Sequence, residues 1–136
     1  MHIVETILHL LAILVLLGMG AKYGLARGMH SYHKAIIGDD AVSGNPGLKL
    51  VIGATYQAIG GGAVAVAIAY AVLVFRVEPS TGFGKGYAFL IACMLAVPAL
   101  VSTYRVEQTS KVKTPWRVIA VGVCLVSAAY ITSYVE

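Results

Sequence analysis

Four long apolar runs dominate this chain, covering residues 4–22, 49–76, 86–105 and 115–135. A helix rises about 1.5 Å per residue, so about 20 apolar residues cross a hydrocarbon core of about 30 Å. Soluble domains carry about 25% charged residues. This chain carries 12%, and 59% of its residues are hydrophobic. That leaves too little polar surface for water to be the main solvent. The pattern predicts an all-α integral membrane protein: a bundle of four transmembrane helices with short loops, forming one domain over residues 1–136.

The first run has room to continue as a helix through the cytoplasmic interface to residue 34, although Gly24 and Gly28 weaken it. Gly38-Asp39-Asp40 and Ser43-Gly44-Asn45-Pro46-Gly47 are turn chemistry and end it. The second run is longer than a bilayer is thick and is expected to tilt, or to bend at Gly60-Gly61-Gly62. Pro98 predicts a kink in the third. Thr114-Pro115 reads as the N-cap and first residue of the fourth.

Charge sets the orientation. The first turn carries Lys22, Arg27, Lys34 and Lys49, and the third carries Arg105, Lys111, Lys113 and Arg117; the second has only Arg76 and Lys85. Eight cations against two predict that turns one and three are cytoplasmic and both chain ends lie outside. Trp116 then fits the inner interface, and Tyr87, Tyr130 and Tyr134 the outer one. The net charge of +4 is explained in this way, without a nucleic-acid partner. The N-terminus has no basic segment or cleavage box, so the first run is expected to be retained. Cys93 and Cys124 lie in apolar runs and read as small hydrophobes.

On a helical wheel of about 100° per residue, Glu5, His9, Tyr23, Arg27, His30 and Lys34 fall within about 80° of His2. Ala12, Leu16 and Gly20 continue this stripe between its polar ends. His2, Glu5 and His9 are candidate metal ligands near the outer interface. An imidazole beside a carboxylate also relays protons or ligates haem, and the plainer alternative is a His9 hydrogen-bonded to a neighbour. At the other end His30 and His33, at i and i+3, can touch one ligand. Asp39 and Asp40 follow as further oxygen donors. With His9, the pair His30 and His33 is the candidate set for haem, a metal ion or a quinone. Arg27, Lys34, Lys111 and Lys113 are expected to face lipid phosphate.

In the second run Ala54, Ala58, Gly61, Gly62, Ala65 and Ala69 share one face. Small residues at this spacing let helix backbones approach closely in lipid, so this is the expected packing face. Gln57 borders it, an amide in mid-span that needs a partner.

The string Leu8-His9-Leu10-Leu11-Ala12, followed by Gly20, Tyr23, Arg27 and Tyr32-His33, resembles the copper-resistance D-type group. That group includes four-helix haem-linked protoporphyrinogen oxidases, with a histidine in the first helix and an Arg and a Tyr-His pair after it. The resemblance implies haem redox chemistry at His9. It is confined to the first part of the chain, and the later spans contain no histidine to serve as a second ligand.

No nucleophile with its base, carboxylate pair or phosphate loop is visible. Three function classes follow. The leading one is a non-catalytic subunit that works by assembling, as a homo-oligomer or in a larger membrane complex. The others are a haem-, metal- or quinone-binding redox protein and a small oligomeric transporter or channel.

Overall fold

The computed structural model describes residues 3–26, 28–38, 44–77 and 83–134. These residues form five helices: α1 (Ile3–Gly24), α2 (Ser31–Ile37), α3 (Pro46–Phe75), α4 (Phe83–Ser110) and α5 (Trp116–Thr132). Three of them, α1, α3 and α4, are long and apolar enough to cross a membrane. At about 1.5 Å per residue, the 17 residues of α5 rise about 26 Å, a little short of a hydrocarbon core. Its end is marked by Thr132 and Ser133, whose hydroxyls donate to Ala129 O at 3.0 Å and Tyr130 O at 2.6 Å. α1 packs against α3 and α5, and α4 packs against the same two helices, so the four long helices form a closed ring of neighbours.

Burial on α1 follows the polar stripe. Its buried residues are Glu5, His9, Ala12, Leu16, Gly20 and Tyr23, while Ile3, Val4, Ile7, Leu10 and Leu14 are exposed. Polar groups point inward and branched apolar groups outward, the reverse of a helix on a water-soluble core. α1 stops at Gly24 and does not extend to residue 34. The chain re-enters a helix as the short α2, before which the His30 backbone N–H donates to the Tyr56 hydroxyl at 3.2 Å.

The α1–α3 crossing is made by glycines. A Cβ on Gly60 would overlap the Gly24 backbone and stand 2.9 Å from Gly20 O, and one on Gly20 would stand 2.6 Å from Val64 Cγ2. Gly60 is therefore a point of contact, and α3 runs as one helix through Gly60-Gly61-Gly62. α4 likewise continues through Pro98.

Within the chain α3 packs on a different face from the one its small residues suggested. The buried positions are Tyr56, Gly60, Ala63, Ala67, Tyr70 and Val74. Ala54, Ala58, Gly61 and Ala65 are exposed, with Gly62 and Ala69 half-buried. The inward side carries two tyrosines, Tyr70 bonded to the buried His9 and Tyr56 to the half-buried His33. Ala12, Tyr70, Val74, Ala88, Ala92 and Val126 form the core where α1, α3, α4 and α5 meet.

The α4–α5 turn is held by Glu107. Its carboxylate accepts from Thr114 N at 2.7 Å and Arg117 Nη2 at 2.9 Å, and Thr114 Oγ1 donates to Thr103 O at 2.9 Å. Thr114 is thus spent on α4, and Pro115 takes the N-cap position of α5.

Gly60→Ala is expected to destabilise the protein by about 1–3 kcal/mol, the usual range for overpacking a seam. Gly61→Ala, with open space at its Cβ, should change stability by no more than about 0.5 kcal/mol. Thermal unfolding in detergent micelles checks the pair, and equal effects would show that the glycine crossing is not the constraint.

Candidate functional site

Two polar clusters sit at the two ends of the α1 stripe. At the first, α1 supplies Glu5 and His9, α3 supplies Tyr70 and α4 supplies Lys85. Glu5, His9 and Tyr70 are 2%, 1% and 1% exposed. Lys85 Nζ lies 2.7 Å from Glu5 Oε1, and the Tyr70 hydroxyl lies 2.8 Å from His9 Nδ1. His9 Nε2 is 3.7 Å from Glu5 Oε1, beyond a direct hydrogen bond. If Tyr70 donates to Nδ1, the Nε2–H faces the carboxylate, which is the electrostatically favourable tautomer. Phe75 closes the ring's other side at 6.4 Å between centroids.

This geometry is that of an internal ion pair. The Lys85 ammonium already supplies the positive charge that a metal on Glu5 would bring. Among the described residues no three His, Cys, Asp or Glu side chains converge on one point. His2, the third metal candidate, lies outside the described residues. A haem on His9 fits poorly too. Tyr70 holds Nδ1, and a porphyrin on Nε2 would have to displace the Glu5–Lys85 pair.

The second cluster is built from Tyr23 on α1, His30 with Tyr32 and His33 of α2, and Tyr56 on α3. The Tyr56 hydroxyl is bonded to both the His30 N–H and His33 Nδ1. The Tyr23 and Tyr32 hydroxyls lie 2.9 Å apart. Tyr23 meets the His30 ring edge-on at 5.1 Å, and Tyr32 stacks on His30 at 6.1 Å. Burial pushes the His30 and His33 pKa values below 6.5, helped by the Lys22 charge for His30 and by His30 itself for His33. Burial, with the Tyr23 hydrogen bond second, pushes Tyr32 up. The cluster is therefore a neutral set of imidazoles and phenols at pH 7.

His30 and His33 do share a partner, as their spacing allows, and it is Tyr56. His9 is not brought to them. From His9 to Tyr23 is about 20 Å of α1, filled by Ala12, Leu16 and Gly20. An apolar cavity of about 50 Å³, bordered by Ala12, Leu16, Ala63 and Ala92, lies between the clusters. Its lining carries no hydrogen-bonding side chain that would link the two clusters. Gln57, Lys34, Lys111 and Lys113 are exposed. Arg27, Asp39 and Asp40 lie outside the described residues.

Tyr56, Tyr70 and Lys85 are the site residues that the stripe itself does not point to. A signal was there: Tyr56 and Tyr70 are fourteen residues apart, as are His9 and Tyr23. Two antiparallel helices with that shared spacing bring both pairs into register at once. No protein-family model, curated protein or solved structure matches the chain.

Lys85→Met should cost about 3–5 kcal/mol, because it strips the cation from a buried carboxylate. Adding Glu5→Gln should recover most of that loss. Chemical unfolding in micelles measures the cycle, and a double variant as unstable as Lys85→Met alone would argue against the ion pair.

The histidine cluster gives a pH dependence. Since the folded pKa values are depressed, the unfolded chain binds more protons between the folded values and 6.5. Stability from this cluster is complete above about pH 6.5 and is lost as pH falls through the folded values. Hydrogen exchange of α2 amides, corrected for intrinsic rates, should accelerate from pH 7.5 to 5.5; unchanged protection would contradict the burial of neutral rings.

Proposed function

We propose that the protein is a bundle of four transmembrane helices that works by assembly rather than catalysis, pairing with a second copy of itself or with a larger membrane complex. The observation that carries this reading is the outward face of α3. Ala54, Ala58, Gly61 and Ala65 are exposed there, and a Cβ on Gly61 or Gly62 would meet nothing within 4 Å. Small residues gain little from contact with lipid tails, yet they allow close backbone approach by another helix. Glu5, His9, Tyr56 and Tyr70 are, by contrast, engaged inside the chain. α3 thus has two seams: a tyrosine-bearing one used internally and a small-residue one left for a partner.

In this reading the Lys22 and Lys111 ends of the helices face the cytoplasm, where the basic residues concentrate, and both termini lie outside. The shorter α5 spans with the help of its flanking Trp116 and Tyr134.

Cross-linking tests the assembly. In a Cys93→Ala/Cys124→Ala background, Gly61→Cys in native membranes should form a disulfide dimer on mild oxidation, as a two-fold α3–α3 contact requires. Gly61→Ile should abolish assembly while leaving the unfolding temperature unchanged. In the same vesicles Lys111→Cys should be labelled from the cytoplasmic side alone. A monomer by single-molecule photobleaching, with no co-purifying subunit, would refute the reading.

A further inference from the structure

A second cavity opens between α1 and α5. Its volume is about 290 Å³. Gly18, Met19, Val118 and Ile119 line it, and Lys22 and Tyr23 stand at one end. Gly18 keeps it open: a Cβ there would meet nothing within 4 Å. Lys22 follows Gly18 by one helical turn, so the apolar trough leads to an ammonium. Among the described residues no carboxylate pairs with Lys22, whose Nζ lies 5.9 Å from the centroid of the Tyr23 ring. The described acid at this end of the helices, Glu107, is engaged by Arg117 at 2.9 Å.

An apolar trough ending in a cation that no described carboxylate meets is complementary to an anionic amphiphile. We propose that this cleft is a binding site for one anionic phospholipid, with an acyl chain along Gly18, Met19 and Val118 and the phosphate on Lys22. The site is distinct from diffuse attraction of lipid to the basic turns, because it combines a shaped apolar channel with a single placed charge. A neutral lipid fills the channel but leaves the ammonium without a counter-ion, and a water-soluble phosphate meets the ammonium but leaves the channel empty. Selectivity therefore needs both halves.

The proposal rests on the bilayer arrangement given above, and two measurements keep the two apart. Carbonate extraction of native membranes tests whether the chain is integral. Native mass spectrometry of the intact protein, released from micelles, tests the site with phosphatidylglycerol and phosphatidylcholine of identical chains. One phosphatidylglycerol should bind with a preference of about fivefold, the order expected for one lysine at an anionic headgroup. Lys22→Gln should remove the preference while both lipids still bind. Gly18→Leu, which fills the channel, should abolish the bound lipid at unchanged thermal stability. Lys111→Gln should leave the preference intact, and glycerol phosphate should not compete. The proposal is overturned by equal affinity for the two lipids, by equal losses in Lys22→Gln and Lys111→Gln, by retention of lipid in Gly18→Leu, or by a protein helix co-purifying in the cleft.

Discussion

A carboxylate, an imidazole and an ammonium inside an apolar helical protein must find one another, and the fold depends on that requirement. Glu5 and His9 lie one turn apart on α1, and an unsolvated charge there costs several kcal/mol unless it is met. This fixes the rotation of α1 about its axis, since the stripe that carries them can face only inward. It also draws in two other helices: α4, through Lys85 at 2.7 Å from Glu5, and α3, through Tyr70 at 2.8 Å from His9. Once α1 is turned, Gly20 and Gly24 face α3, and close approach at Gly60 follows.

The antiparallel register of α1 and α3 is set at three points along the crossing. His9–Tyr70 pins one end, Gly20–Gly60 the middle, and Tyr23–Tyr56 the other, where the ring centroids are 5.7 Å apart. A slip by one turn would break the His9–Tyr70 hydrogen bond and the Tyr23–Tyr56 ring contact and drive a side chain into the glycine contact. Directional contacts at the ends and a steric contact in the middle specify register more strongly than apolar packing does, because apolar side chains tolerate rearrangement.

The same arrangement leaves the chain with two kinds of surface. Polar groups gather inside at two ends of one stripe, separated by an apolar middle. Outside, branched apolar side chains cover α1, while α3 offers alanine and glycine. A cleft beside α5 ends in the Lys22 ammonium. The proposed assembly would use α3 and the proposed lipid site lies between α1 and α5, so neither proposal excludes the other.

Much of this was legible in the sequence. The apolar runs located the long helices, and the spacing of Glu5, His9 and Tyr23 marked the stripe that α1 buries. The second polar end was expected on the same helix, but α1 stops at Gly24, and His30 and His33 reach Tyr56 from outside it. What tertiary structure alone decided was which groups meet that stripe. Tyr56, Tyr70 and Lys85 each have two favourable settings, at a wet interface or beside a buried partner, and the choice depends on the rotation and register of another helix. Which face of α3 turns inward depends on the same choice. Side-chain size is a property of a residue, but the energy of a tyrosine hydroxyl depends on whether a histidine from a distant part of the chain stands opposite it.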